Sequence, residues 1–279
     1  MTENLKLETE TLLVIGTDTG VGKTVFSGLF ARYLMDAGVG VRAVKPFCSG
    51  GMEDVEFLAE AQGGLGQVDL NFWYSDEPIS PAAAELRLGQ AVDFKGAINW
   101  INSLQSTQLA GISSQPSTRR GEGSLQSAGG SGQPGVLLVE GVGGLLAPLA
   151  KGKTVASLGK AIGAQLIVVA PNRVGVINQV LLTVEAAAQR DLEVACVVLM
   201  GQREPDVSCL DNASLLRDFL PVLADFKGVF EFPWLGFGAD DPGQIGVNVK
   251  KVEKVLAKIF EACRLRVPSG SGVSVQPSG

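Results

Sequence analysis

The stretch from Thr11 to Thr24, TLLVIGTDTGVGKT, constrains what this chain can fold into more than any other part of it. An apolar run over residues 12–15 leads into a glycine-rich loop, and a helical pattern follows directly. A strand, a glycine-rich loop and a helix in this order bind phosphate, because free amide groups at the helix N-terminus point at the anion and the helix dipole favours it. We therefore expect an α/β protein with a nucleotide site of the P-loop kind.

The loop departs from the strict P-loop pattern by one position. That pattern places a glycine five residues before Gly22, where this chain has Thr17; the glycine of this chain is Gly16. Gly22 would still let the backbone approach the phosphates, Lys23 would reach the β- and γ-phosphates, and Thr24 would bind Mg²⁺. A chance glycine-rich turn before a helix is the weaker alternative, given the strand and helix on either side. The loop residues expected to bind nucleotide are Gly20, Val21, Gly22, Lys23, Thr24 and Val25.

Composition favours a single acidic α/β domain. The 279 residues are 46% hydrophobic, enough for one large core, and the formal charge of −6 argues against binding a nucleic acid. No histidine occurs, which excludes Ser-His triads and histidine ligands and leaves a hard, oxygen-bound metal such as Mg²⁺. The four cysteines form no CxxC pair, and neither a signal peptide nor an uninterrupted membrane span is recognised. We expect a cytoplasmic protein without a membrane partner.

Short apolar runs alternate with helical patterns, which predicts a mostly parallel sheet with helices on both faces and ligands at the carboxyl ends of the strands. Buried strands are expected at 12–15, 41–44, 136–139, 166–170, 194–200 and 229–232. Helices are expected at 25–37, 53–62, 82–88, 94–104, 154–162, 176–190, 212–220 and 247–263. The segment 71–81 is expected to be an unpaired loop, because it contains two prolines.

Residues 106–135 interrupt this pattern. Twenty-two of these 30 residues are Ser, Gly, Gln, Thr or Pro, too polar a composition to offset the entropy of ordering. Because a strand of the same sheet resumes directly afterwards, we interpret the segment as a disordered insertion within one domain, 1–266. A flexible tail is expected at 267–279.

Several chemically useful side chains follow the predicted strands. Lys45 ends one strand, with Ser49 in the loop behind it, and Glu140 ends another, followed by Gly141, Val142 and Gly143. Together with Thr24, the carboxylates of Asp54 and Glu140 would give Mg²⁺ three oxygen ligands. Alone, Asp54 would be an ordinary helix cap and Lys45 a surface charge. Their joint placement around one phosphate loop favours an active site.

At this point the sequence resembles the dethiobiotin synthetase family over nearly its whole length, apart from the insertion and the tails. The matching stretches are GTDTGVGKT (16–24), KPFCSG (45–50), NFWYSDEPISP (71–81), VEGVGGLLAPL (139–149), GVINQVLLT (175–183) and FPWL (232–235). The first loop, with its extra spacer residue, is characteristic of that family. The resemblance implies that ATP, 7,8-diaminononanoate and CO₂ react to dethiobiotin, ADP and phosphate, through a carbamate and a mixed carbamic–phosphoric anhydride.

The resemblance also implies roles for particular residues. Lys45 and Lys23 would steady the carbamate and the γ-phosphate, while Thr19 and Ser49 would hydrogen-bond the substrate. The substrate carboxylate would be held across a homodimer interface by Gly175, Val176, Ile177 and Asn178. Further nucleotide contacts are expected from Asp54, Glu140, Gly141, Val142, Gly143, Met200, Gly201, Pro233, Trp234 and Leu235.

Three positions depart from the family pattern. Gly20 stands where some relatives have glutamate, Gln179 where many have histidine, and Met200-Gly201 where many have an asparagine that reads adenine. The base preference is therefore open.

Three other functions compete with the synthetase. A partition-type ATPase, which switches partner binding with nucleotide, usually has a second lysine five residues before Lys23, where this chain has Asp18. A cobyrinate-type amide ligase would need a glutaminase portion, which is not recognised. A degenerate nucleotide-binding module is disfavoured by the intact Lys23, Thr24, Lys45 and Glu140.

Overall fold

The computed structural model describes residues 9–66, 69–106, 135–220 and 226–265. The predicted insertion, apart from its two end residues, and the predicted tail lie outside the described residues. The strands are β1 (Glu10–Gly16), β2 (Gly40–Val44), β3 (Phe47–Ser49), β4 (Trp73–Ser75), β5 (Gly135–Gly144), β6 (Pro148–Ala150), β7 (Lys153–Thr154), β8 (Gln165–Pro171), β9 (Val194–Met200) and β10 (Val229–Phe232). The helices are α1 (Lys23–Asp36), α2 (Glu53–Ala61), α3 (Pro81–Leu88), α4 (Phe94–Ser106), α5 (Val155–Ala161), α6 (Val176–Ala188), α7 (Asn212–Phe219) and α8 (Ile245–Ala262).

A six-stranded sheet in the order β10-β9-β8-β1-β5-β2 forms the centre of the described structure. Every pair of neighbours in it is parallel, as the alternation of apolar runs and helices predicts. The central strands are buried along nearly their whole length, with Leu13, Val14 and Ile15 fully enclosed. Such continuous burial is typical of a parallel sheet that is covered on both faces.

The strand order places helices on both faces of this sheet. From β1 the chain moves through α1 towards β2 at one edge, and from β8 it moves through α6 to β9 towards the other edge. Because crossovers between parallel strands are right-handed, α1 and α6 lie on opposite faces. Helices α2 and α8 pack against α1, and α7 packs against α6. None of the helices in the described ranges is long and apolar enough to cross a membrane.

The prediction that residues 71–81 are unpaired is wrong for three of them. Strand β4 forms a parallel two-stranded sheet with β3, pairing Phe47 with Trp73 and Ser49 with Ser75. The two prolines, Pro78 and Pro81, follow this strand and do not interrupt its ladder. The pairing continues the connection after β2, where the Lys45 amide donates to the Leu70 carbonyl at 2.8 Å.

Strand β5 is longer than its apolar run predicts. It continues through Glu140 to Gly144, so the glycines expected to follow the strand belong to it. Its pairing with β1 shifts register after Val14–Glu140 and resumes at Gly16–Gly144. Glu140 is therefore fixed by strand pairing, which holds its side chain more rigidly than a loop would.

The structure gives a physical reason for the one-residue shift of the loop glycine. The Thr17 amide still donates to the Val169 carbonyl of β8 at 3.0 Å, so residue 17 continues the ladder and the turn begins after it. A Cβ atom at Gly16 would lie 2.4 Å from the Asp18 carbonyl oxygen and 3.0 Å from Lys23 Nζ. Position 16 therefore has to be glycine for the loop to fold back over the strand end.

Helices α1 and α2 approach closely at Gly28. A Cβ atom there would lie 2.4 Å from Cε1 of the buried Phe57 ring. Gly28 lies one turn after Thr24 on α1, and Phe57 lies on α2 with Asp54. This contact therefore sets how near Thr24 and Asp54 come to each other.

We predict that Gly28→Ala destabilises the protein by about 1–3 kcal/mol, because the added methyl group overpacks the core. This cost outweighs the roughly 1 kcal/mol that alanine gains over glycine inside a helix. Gly246→Ala, in the first turn of α8 with no atom within 4 Å of its Cβ position, is the control and should be neutral or stabilising. Urea denaturation measures both, and a Gly28→Ala protein as stable as wild type would contradict the packing argument.

Candidate active site

The phosphate loop connects the end of β1 to the start of α1. Gly22 is the residue before α1 and has φ of 95°, and Gly20 has φ of 67°, both in the left-handed region that glycine adopts at low cost. The buried Lys23 side chain folds back along the loop, and its Nζ donates to the Asp18 carbonyl at 3.1 Å. The loop thus has the backbone shape and the lysine of a phosphate site before any ligand binds.

Four elements bring a cation and two carboxylates together beside this loop. Lys45, directly after β2, contacts the carboxylate of Asp54 on α2, and its Nζ lies 2.8 Å from Glu140 Oε1 on β5. The Thr24 hydroxyl, in the first turn of α1, donates to the same Glu140 oxygen at 2.8 Å. The side chains of Glu140 and Lys45 are 1% and 6% exposed, whereas that of Asp54 is 48% exposed. The surface charge considered for Lys45 alone is therefore wrong, because its ammonium is buried in an ion pair.

Charge interactions hold these groups ionised. Burial opposes the charged form of Lys45, but the carboxylates of Glu140 and Asp54 outweigh it and raise the pKa of Lys45 above its usual value. Burial also opposes ionisation of Asp54, but Lys45 beside it keeps the pKa of Asp54 below its usual value. For Lys23, burial dominates and lowers the pKa. At neutral pH, Lys45 is thus a fixed positive charge at the edge of the phosphate loop.

The same side chains fit a magnesium ion. Glu140 Oε2 is buried and has no hydrogen-bond donor, so a lone pair is available in the interior. Thr24, Asp54 and Glu140 are the oxygen ligands that a P-loop site offers to Mg²⁺, which completes its coordination with water and phosphate oxygens. Among the described residues no group of three or more carboxylates and thiols forms a metal site by itself. The donor set therefore suits a metal that is held jointly with a nucleotide.

A cavity of about 560 Å³ opens above these residues. Most of the predicted site residues line it, namely Thr19, Gly20, Gly22, Lys23, Thr24, Val25, Lys45, Ser49, Asp54, Glu140, Val142 and Gly143. Two further lining residues, Pro78 and Asp240, were not predicted, because both lie in loops without periodic pattern or motif. The predicted Val21 and Gly141 are adjacent in the chain to lining residues, and Val21 points into the core.

The residues predicted around the nucleotide base lie together beside the phosphate loop. A Cβ atom at Gly22 would lie 3.0 Å from the Met200 methyl group, and one at Gly201 would lie 2.6 Å from the Trp234 amide nitrogen. The Met200 carbonyl accepts from the Asn172 amide at 2.8 Å and from the Gln202 side chain at 2.7 Å. The carboxyl ends of β9 and β10 thus place Met200 and Gly201 next to Pro233, Trp234 and Leu235, outside the lining of the phosphate cavity.

The predicted carboxylate-binding segment lies elsewhere. Gly175 precedes α6 with φ of 88°, and Val176, Ile177 and Asn178 form the first turn of that helix. None of the four residues lines the phosphate cavity of the same chain. Within one chain, the structure therefore does not bring this segment to Lys45.

Strand, loop and helix geometry thus define a protein of the P-loop class, and comparison with known sequences agrees. The sequence profile of the AAA domain family matches residues 10–236. The chain is 33% identical over 193 residues to the ATP-dependent dethiobiotin synthetase BioD of Anaeromyxobacter dehalogenans, which covers 67% of this chain and 75% of that protein. It is 32% identical over 240 residues to the protein of the same name from Mycobacterium avium, which covers 82% of this chain and 95% of that protein. The chain therefore belongs to the dethiobiotin synthetase family.

Solved structures were compared as well. The McdA–ATP complex of Cyanothece aligns with 93% of this chain and 98% of that chain, at 13% identity and a TM-score of 0.49.

We predict that Glu140→Gln destabilises the protein by about 3 kcal/mol when metal is removed with EDTA, because it leaves the buried Lys45 ammonium with one carboxylate partner. Asp54→Asn is the matched variant. It removes the other partner, but the half-exposed Asp54 is screened by water, and the cost should be about 1 kcal/mol or less. Chemical denaturation of both variants in EDTA measures the difference. Equal losses would show that burial does not decide the strength of these contacts.

Proposed function

We propose that this protein is an ATP-dependent dethiobiotin synthetase acting in biotin biosynthesis. One amine of 7,8-diaminononanoate takes up CO₂ as a carbamate and releases a proton. A carbamate oxygen then attacks the γ-phosphorus of ATP, ADP leaves, and a mixed carbamic–phosphoric anhydride remains. The second amine attacks the carbonyl carbon, expels phosphate and closes the ureido ring.

The buried Lys45 beside the phosphate loop is the observation that carries this proposal. The carbamate and the triphosphate are both anions, and they repel each other unless a cation lies between them. Lys45 would face the γ-phosphate from one side and Lys23 from the other, while Thr19 and Ser49, which line the same cavity, would hydrogen-bond the substrate nitrogen or carbamate. Nucleophile and leaving group come from the substrates, so the protein contributes positioning and charge, for which no histidine is needed.

We further propose that Mg²⁺ binds with ATP at Thr24, Asp54 and Glu140. The ion would bridge phosphate oxygens and neutralise the charge that develops on them. The base would lie against the carboxyl ends of β9 and β10, near Met200 and Trp234. Cytoplasmic location and the absence of a nucleic-acid or membrane partner remain part of the proposal, in line with the acidic charge of −6.

The protein is proposed to act as a homodimer. The segment 175–178 does not line the cavity of its own chain, so it would bind the substrate carboxylate for the cavity of a second copy. The surface around α6, residues 207–210 and α7 exposes large apolar side chains: Val174, Leu182, Val207, Leu210 and Phe219. Contiguous exposed apolar surface of this kind is typical of an interaction site.

One assay tests the reaction. The full-length protein is incubated with ATP, Mg²⁺, bicarbonate and diaminononanoate, and dethiobiotin is detected by mass spectrometry while phosphate release is followed. We expect one dethiobiotin per phosphate and little hydrolysis when diaminononanoate is omitted. ATP hydrolysis that ignores both substrates and rises with added DNA would instead indicate the partition-type ATPase, and repeating the assay with CTP tests the base preference.

We predict that Lys45→Ala lowers turnover at least about 10²-fold, because a preorganised charge aimed at the reacting centre is worth roughly 3–4 kcal/mol. Nucleotide affinity, measured by calorimetry, should fall much less, since Lys23 remains in the loop. Lys151→Ala, an exposed lysine in the β6–β7 turn, is the control and should leave both quantities unchanged. Near-normal turnover of Lys45→Ala would remove the main argument for the synthetase.

We predict that light scattering at micromolar concentration gives a dimer. Leu182→Glu, which places a charge on the exposed face of α6, should give a monomer with much reduced turnover. Leu86→Glu is the matched control, because Leu86 on α3 is 86% exposed but lies away from α6. A fully active monomer would reject the shared carboxylate site.

A further inference from the structure

The proposed metal ligands already hold a cation of the protein itself. Lys45 Nζ contacts Asp54 and lies 2.8 Å from Glu140 Oε1, the same oxygen that accepts from the Thr24 hydroxyl. A divalent ion shared by Asp54 and Glu140 would have to lie about 2.1 Å from oxygens of both carboxylates. The Lys45 ammonium lies in that position, and two cations so close would repel each other. Lys45 and a metal ion are therefore mutually exclusive on these two carboxylates.

The surroundings explain why the lysine takes this position. Glu140 is almost completely buried, and an ionised carboxylate without a cation is costly in the protein interior. Lys23, the other lysine of the cavity, donates to the Asp18 carbonyl and to neither carboxylate. Among the described residues, Lys45 is thus the cation in direct contact with Asp54 and Glu140.

A nucleoside triphosphate would change this balance. Its phosphate oxygens offer the Lys45 ammonium a new anionic partner, and they offer a metal ion the ligands that the protein lacks. We propose that Lys45 closes the Asp54–Glu140 site to free divalent cations, so that Mg²⁺ enters only together with the triphosphate. The inference rests on the proposed function for the metal ligands and the nucleotide. It assigns Lys45 a second position, between the carboxylates, besides the one that faces the reacting phosphate.

The test uses the full-length protein without nucleotide or diaminononanoate. Binding of Mn²⁺, as a paramagnetic substitute for Mg²⁺, is measured by electron paramagnetic resonance, and the melting temperature is measured with and without MgCl₂. The wild-type protein should bind no Mn²⁺ at this site and show no shift with MgCl₂. Lys45→Met, which keeps the length of the side chain without its charge, should bind Mn²⁺ at least about tenfold more tightly and melt at a higher temperature in MgCl₂ than in EDTA.

Two further variants show whether the contact is responsible. Lys23→Met removes a positive charge from the same cavity but not from the carboxylates, so it should gain no affinity for free metal. Lys45→Met combined with Glu140→Gln should lose the affinity that Lys45→Met gains. If Lys45→Met does not fold, Lys45→Gln replaces it, because its amide can still donate to Glu140.

Three outcomes would overturn the proposal. These are equal Mn²⁺ affinity of the wild-type and Lys45→Met proteins, no Mn²⁺ binding by either, or an equal gain in Lys23→Met. The metal measurement is independent of the reaction assay. A failure to form dethiobiotin would reject the proposed synthetase, while exclusion of free metal by Lys45 could still be found, and the reverse also holds.

Discussion

The ion pair between Lys45 and Glu140 is the interaction on which the site depends. Both side chains are buried, so each needs the other to remain ionised in the interior. The pair joins the end of β2 to the middle of β5, and through Asp54 and Thr24 it reaches α2 and α1. The electrostatic contact that holds these four elements in register is therefore the contact that places the charged groups beside the phosphate loop.

Much of this arrangement follows from the sequence. The apolar runs before Gly16, Lys45 and Glu140 predict parallel strands, and the carboxyl ends of parallel strands meet at one edge of a sheet. That rule alone brings Lys45 and Glu140 next to Thr24, since β5 lies between β1 and β2. The helical pattern from 53 onwards adds Asp54. The metal ligands could thus be proposed from spacing and element order before any distance was known.

Other features had no signal in the sequence. The β3–β4 ladder depends on Lys45 and Pro46 backbone groups that pair with residues 70–73, a long-range match that local propensity does not reveal. Asp240 reaches the cavity from an irregular loop after β10. Glu140 was expected at a strand end, but its strand continues through glycines that have no strand propensity of their own. In each case tertiary pairing decided the local structure, and local pattern could not.

The choice of lysine at position 45 follows from what the site has to accommodate. An arginine would present a rigid, planar fork that suits one carboxylate or phosphate geometry, whereas an ammonium on a flexible stem can exchange one anionic partner for another. Here the possible partners, Glu140, Asp54 and an anion in the cavity, lie at different directions from β2. The pKa of Lys45 lies above its usual value, so the charge is not lost at neutral pH while it is held between the carboxylates. A chain without histidine can therefore rely on a movable charge where other enzymes transfer protons.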